Sequence, residues 1–421
     1  GEKKVGWFVS IWGNIANCGG SLVNSSGDGQ NQDLMRKLRH ATENWDMPVI
    51  FTTNVQFFES IYGNRTSKCR KLHNLSRSVI ILDEAQMLPV PYLEPCLLAL
   101  CELVQNYFST VLLCTATQPY LTDVMTRMLK STSEGPSITE LMNDTTKLYE
   151  QFKRVEVIQK GELGDVELVE ELRSLEQVLC IVNTRRHAKE LHAMLEGERN
   201  VYHLSTLMCP LHRKRVICDI KAHLNQHSVD VEPIKVISTQ LIEAGVDVDF
   251  PVVYRSMAGL DSIIQSAGRC NREGLSRTGQ VFVFESTSEY SKVRGYLART
   301  AVYAGEILRK HADPLSLQAT EDYFRLLYFS EGLDKYEIVQ DCFSDHQTFE
   351  FNFATAADRF RMIPDNMYSI VIPYDDVATA LIESVKHAKF VPLEYRRRLQ
   401  SYTVSIYEYE FRRLLQFGSI D

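Results

Sequence analysis

The sequence predicts an α/β protein of two tandem lobes, each with a parallel sheet, followed by a smaller α+β appendage. Three observations carry this. Short apolar, β-rich runs alternate with helical stretches from Pro48 onward and again beyond position 164, the pattern of strand–helix–strand units. A polar, charged interval at 131–164, broken by Gly135, Pro136 and Gly161, separates the two blocks. From about position 289 the pattern turns to helical segments mixed with aromatic-rich stretches.

In the first lobe, 49–52, 79–82 and 110–114 read as strands, with a helix over 92–107 between the last two. In the second, strands at 177–182, 201–204, 235–238, 251–254 and 280–284 alternate with helices at 186–195, 210–224 and 261–270. Unbroken apolar strands are expected to be covered by helices on both faces. The boundaries fall at 1–147, 148–288 and 289–421. Residues 13–32, crowded with Gly, Asn, Ser and Asp, read as loops.

Bulk properties agree with this architecture and exclude others. A chain of 421 residues has room for two or three domains, and 44% apolar with 24% charged residues is an ordinary globular balance. The net charge of −8 provides no global basic field, so any polyanion site must be a local cleft. The ten cysteines form no C-x-x-C pair and several sit in apolar runs, which fits reduced thiols in the cytoplasm. No apolar run approaches the roughly 18 residues of a membrane helix, so no membrane partner is expected.

The strongest chemical feature is an apolar strand that ends in Asp83-Glu84-Ala85-Gln86. At the C-terminal edge of a parallel strand, the first carboxylate can hold Mg²⁺ and the second can orient a water, the Walker B arrangement of an NTPase. A second apolar strand ends in Thr115-Ala116-Thr117, whose hydroxyls can link the neighbouring carboxylates to a bound nucleic-acid strand. In the second lobe Arg269 and Arg272 stand at i, i+3, so both guanidinium groups can leave one helical face. Aimed at a triphosphate, they would stabilise charge developing on the γ-phosphoryl group.

These segments resemble the motifs of superfamily-two helicases. Asp83 to Gln86 resembles motif II, Thr115 to Thr117 motif III, 238–247 motif V, and Gln265 to Arg272 motif VI. Within that superfamily the chain resembles the CRISPR-associated helicase-nucleases of type I systems, through 52–60 with Asn64 and Arg65, 67–73, 82–89 and 203–213. The resemblance implies two RecA-like lobes that bind ATP and Mg²⁺, with Gln86, Gly245, Asp247 and Gln265 near the nucleotide. It also implies single-stranded DNA as substrate, touched by Thr53, Gln56, Thr115, Thr117, Thr184, Arg185 and Thr239, and recruitment by the Cascade effector complex.

Two departures from the family stand out. The phosphate-cradling G-x-x-x-x-G-K-[ST] loop does not occur; the nearest stretch, 14–21, lacks its first Gly and its Lys. The family's HD nuclease dyad is not found, Asp345-His346 being reversed. The chain is therefore expected to be the C-terminal part of a longer protein, with an incomplete first lobe and the HD nuclease portion elsewhere. The rival readings are an inactive DNA- or effector-binding module and another superfamily-two motor.

Overall fold

The computed structural model describes residues 8–9, 41, 43–115, 121–129, 138–142, 144–225, 232–343, 350–363, 367–386, 388 and 390–420. The chain forms two compact units, Gly1–Leu141 with Tyr328–Asp365, and Met142–Leu327 with Asn366–Asp421. Residues 289–421, expected as one appendage, are thus divided between the two.

In the first unit β1 (Phe8–Val9) pairs in parallel with β2 (Ile50–Phe51), and β3 (Val79–Leu82) with β4 (Thr110–Leu113). Helix Leu93–Gln105 connects β3 to β4, and its Leu93, Leu97 and Leu100 share a core with Ile80 and Leu82. Val79 and Ile81, which point the other way, remain 69% and 62% exposed. Among the described residues this strand pair is therefore covered on one face, not on the two that its apolar run suggests. Segment 328–365 joins the same core through Ile338, Cys342 and Ala356 and through Phe360, whose ring stacks on Tyr62 with centroids 4.5 Å apart.

The second unit contains a six-stranded, wholly parallel sheet: β5 (Val155–Leu163), β6 (Gln177–Ile181), β7 (Val201–Leu204), β8 (Ile234–Ser238), β9 (Val252–Ser256) and β10 (Gly279–Ser286). Their order is β5-β10-β9-β6-β8-β7. Strand β5 occupies part of the interval expected to be a spacer. Its charges belong to an edge strand, and Gly161, at φ 72°, accommodates a bulge where the register with β10 shifts. Central β6 is buried on both faces. Leu179 and Ile181 lie in one core with Val236 and Phe250, and Val178 and Cys180 in another with Leu168 and Leu191. Each such fully buried aliphatic side chain contributes roughly 1.5–3 kcal/mol.

Because the strands are parallel, the segments following β6, β7, β8 and β9 all emerge at one edge of the sheet, where such folds place their ligands. After β9 the chain turns at Gly259, where a Cβ would come within 2.6 Å of the Tyr323 hydroxyl, and helix Leu260–Ala267 begins. The last segment of this unit pairs β11 (Met367–Val371) antiparallel with β12 (Thr403–Tyr407). Leu381, Tyr402, Val404 and Ile406 form a small core with Cys209 at the start of helix Pro210–Leu224. None of the nine described cysteines is disulfide-bonded, and no described helix is long and apolar enough to cross a membrane.

His203, on β7, carries a pH liability. Its Nε2 is buried without a hydrogen-bond partner, and burial, reinforced by His192, His212 and Lys189, pushes its pKa down to about 4. The unfolded chain binds that proton near pH 6.5, so this residue withdraws stability as pH falls from about 6.5 towards 4. Thermal unfolding at pH 7 and pH 4.5 should show a drop in Tm that is smaller in His203→Gln. An equal drop in both proteins would contradict the assignment.

Candidate nucleotide and nucleic-acid sites

In the first unit the register Leu82↔Leu113 makes the two strand ends leave side by side. The Cys114 N–H donates to the Leu82 carbonyl at 2.8 Å, and the Ala85 N–H to the Cys114 carbonyl at 3.0 Å. Asp83 and Glu84 are exposed at this edge, while Gln86 is tucked beneath them. The Gln86 amide N–H donates to the Glu84 carboxylate, and its carbonyl accepts the Thr115 hydroxyl at 2.6 Å. An ionised carboxylate only accepts and Thr115 donates here, so the amide has one orientation that satisfies both neighbours. Sequence reasoning singled out these residues separately; the structure joins them in a chain Glu84–Gln86–Thr115. Thr117 lies outside the described residues, as do 14–21 and Asp345-His346.

Glu84 is held at φ 52°, ψ 47°, a left-handed conformation costing a non-glycine residue about 1–2 kcal/mol. Such strain concentrates at functional sites. Asp83 accepts the Glu84 N–H at 3.1 Å through Oδ1. No group of three or more His, Cys, Asp or Glu among the described residues could hold a metal ion. An exposed carboxylate such as Asp83 fits Mg²⁺, which commonly takes one or two carboxylates and completes its shell with phosphate oxygens and water.

In the second unit the helix expected over 261–270 ends at Ala267. Gly268 caps it, and the chain then pairs with Phe250, whose N–H donates to the Arg269 carbonyl and whose carbonyl accepts the Asn271 N–H, both at 3.0 Å. Asn271 adopts φ 47°. Arg269 and Arg272 consequently do not share a helical face, which corrects the i, i+3 expectation. They converge by another route. Arg269 donates from Nε to the Ile242 carbonyl (3.0 Å) and from Nη2 to the Glu243 carbonyl (2.6 Å). Arg272 pairs with Asp247 at 3.0 Å, both side chains being largely exposed. The Asp249 carboxylate takes the Arg272 and Glu273 N–H groups at 2.7 and 3.1 Å and fixes the turn.

The structure thus gathers Asp247, Arg269 and Arg272 around the segment containing Gly245, itself exposed at φ 73°, with Gln265 on the adjoining helix. An exposed ion pair is worth about 0–1 kcal/mol, so Arg272 can exchange Asp247 for a phosphate at little cost. Thr239 follows β8 directly and is mostly buried.

The remaining residues expected at nucleic acid serve local structure as well. Thr53 caps helix Asn54–Ile61 by accepting the Gln56 N–H at 3.1 Å. Thr184 caps helix Arg185–Met194 by accepting the His187 N–H at 3.1 Å, and donates its hydroxyl proton to the Tyr290 carbonyl at 2.5 Å. Arg185 Nη2 meets both Glu410 oxygens, at 2.9 and 3.1 Å, beside the Tyr407 ring.

Sequence reasoning missed Glu243 and Arg255. Arg255 has no exposed surface, and its Nε lies 2.8 Å from Glu243 Oε1. Burial pushes the Glu243 carboxyl up, while Arg255 and hydrogen bonds from Ser262 and Ser266 oppose the shift. The available signal was an arginine directly following the apolar run of β9, which instead read as the end of the strand.

Comparison with known proteins adds the following. The family model described as CRISPR-associated nuclease/helicase Cas3, C-terminal, matches residues 174–275. A CRISPR-associated nuclease/helicase Cas3 from Haloferax volcanii is 26% identical, the match covering 58% of this chain and 35% of that protein. One from Methanothermobacter thermautotrophicus is 34% identical over 24% of this chain and 11% of its own length. Among solved structures, T. fusca Cas3 with ATP superposes with a TM-score of 0.64 at 14% identity, covering 86% of this chain and 51% of that one. A chain of a CRISPR RNA-guided surveillance complex, pre-nicking, gives 0.56 at 15% identity, covering 89% and 55%. At such identity the structural likeness is one of fold. The chain spans about a third or less of its curated relatives.

Proposed function

We propose that this chain, whose sequence and fold resemble those of Cas3-type helicases, is the motor part of an ATP-dependent single-stranded DNA translocase acting in CRISPR interference. The observation that carries the reading is the Glu84–Gln86–Thr115 chain, in which a strained, exposed carboxylate at one strand end is hydrogen-bonded to the neighbouring strand end. In this reading ATP is the substrate, and the residues proposed to meet it are Asp83, Glu84 and Gln86 in the first unit and Gly245, Asp247, Gln265, Arg269 and Arg272 in the second. Mg²⁺ held by Asp83 would neutralise charge on the phosphate oxygens.

Glu84 orients the attacking water and takes its proton as the water oxygen bonds to the γ-phosphorus and the bond to the β–γ bridging oxygen breaks. Gln86 reports the state of Glu84 to Thr115, on the nucleic-acid side. Arg269, already braced on two carbonyls, and Arg272, released from Asp247, stabilise the γ-phosphoryl charge. Thr53, Gln56, Thr115, Thr117, Thr184, Arg185 and Thr239 hold phosphates of a single strand without reading its sequence. Delivery of the target by Cascade, and an HD nuclease portion acting with this motor, belong to the same proposal. A second reading, a DNA- or effector-docking module without turnover, is favoured by the lack of a G-x-x-x-x-G-K-[ST] loop in the sequence.

The Glu84→Gln variant separates the two readings. A motor should lose ATP turnover by at least about 100-fold while ATP binding persists; equal turnover in variant and parent would end the catalytic assignment. Glu410→Gln tests the DNA grip, because glutamine can still accept the Tyr407 N–H that caps helix Glu408–Gln416 but no longer neutralises Arg185. Fluorescence anisotropy should show single-stranded DNA bound about twofold to fivefold more tightly. Unchanged or weaker binding would remove Arg185 from the DNA site.

A further inference from the structure

We propose that the buried Glu243–Arg255 pair is a positioning element that couples the second unit's nucleic-acid loop at 183–185 to its nucleotide-facing segment at 260–272; the inference rests on the motor reading above. Arg255 ends the apolar run of β9 and reaches in two directions. Nη1 donates to Asn183 Oδ1 at 2.8 Å and to the Ser256 carbonyl at 2.7 Å, and Nε lies 2.8 Å from Glu243 Oε1. Asn183 in turn donates to the Met257 carbonyl at 2.7 Å and immediately precedes Thr184 and Arg185.

On the other side, Glu243 accepts the hydroxyls of Ser262 (2.8 Å) and Ser266 (3.0 Å), and its carbonyl accepts Arg269 Nη2 at 2.6 Å. The connections made by these two side chains and the Glu243 carbonyl thus run to segments bearing a residue expected at DNA or nucleotide. The path is a contiguous set of short polar contacts inside one rigid sheet unit, the physical means by which a shift of one segment is felt at another.

Stability does not account for this pair. Arg255 Nε and Nη2 are both buried with no hydrogen-bond partner, the Nε contact with Glu243 being an ion pair only, and removing both charges from water costs several kcal/mol per ion. A buried pair of this kind can often be replaced by apolar side chains with no loss of stability or with a gain, whereas breaking one partner alone is strongly destabilising. An arginine suits this place because its planar fork meets Glu243 and Asn183 from two separate nitrogens, whereas an ammonium offers all its donors from one.

The test replaces both partners together, Glu243→Leu with Arg255→Met, in the protein that carries this chain. Tm should equal or exceed that of the parent. The ratio of DNA-stimulated to basal ATP turnover should fall by about threefold to thirtyfold, in kcat rather than in KM for ATP. Arg255→Lys, which keeps the charge and loses the fork, should not restore the ratio. Should the double variant fail to fold, the Ser262→Ala/Ser266→Ala pair, which leaves both charges in place, should lower the ratio in the same direction. A folded double variant, or serine pair, with the parental ratio would overturn the inference while leaving the motor reading intact. A parent without DNA-stimulated turnover would overturn both.

Discussion

A guanidinium group with no access to water imposes the tightest constraint in the second unit. Arg255 must find its partners within the protein, and besides the Ser256 carbonyl it meets the side chains of Glu243 after β8 and Asn183 after β6. Satisfying one charge therefore fixes how three parallel strands end relative to one another. Once Glu243 is placed, Ser262 and Ser266 orient the helix that follows β9, and the Glu243 carbonyl holds Arg269. Much of the polar geometry at this sheet edge follows from that pair.

The first unit ties its strand ends by a different device. There the linking side chain is uncharged: one buried glutamine amide between the Glu84 carboxylate and the Thr115 hydroxyl. A bridge through an uncharged amide is easier to remake than a buried ion pair, which suits the general-base role proposed for Glu84. The strain stored at Glu84 has the same sense, since the left-handed turn holds the carboxylate out at the edge. Arg185 and Glu410 show a third kind of link, a partly exposed pair between the main sheet and the terminal α+β segment, of small net worth and open to exchange for a phosphate.

Most of this architecture was legible in the sequence because parallel strands in α/β lobes are apolar and bounded by helices. Strands β3, β4 and β6 to β10 lie where the periodicity put them, within a few residues at each end. Strand β5 was hidden because an edge strand carries charges and a bulge glycine, the composition of a loop. The helix expected to reach 270 stops at Ala267 because Gly268, inside the expected range, suits a turn, as does Asn271 just beyond it. The one-sided cover of β3 was not visible, because apolar side chains look alike whether or not a helix lies over them. Among the candidate site residues, Asp83, Glu84, Gln86 and Thr115 stand out in the sequence because each follows closely on an apolar strand. Glu243 and Arg255 could not, since no periodicity relates two charges that meet only after β8 and β9 fold against β6.

The account stands on the nucleotide-facing role proposed for two segments, 78–86 in the first unit and 265–272 in the second. A photoreactive ATP analogue tethered through its γ-phosphate, cross-linked to the protein and mapped by peptide mass spectrometry, tests that most directly. Adducts should form in both 78–86 and 265–272, and excess ATP should suppress both. Adducts missing from either segment, or unaffected by ATP, would contradict that role.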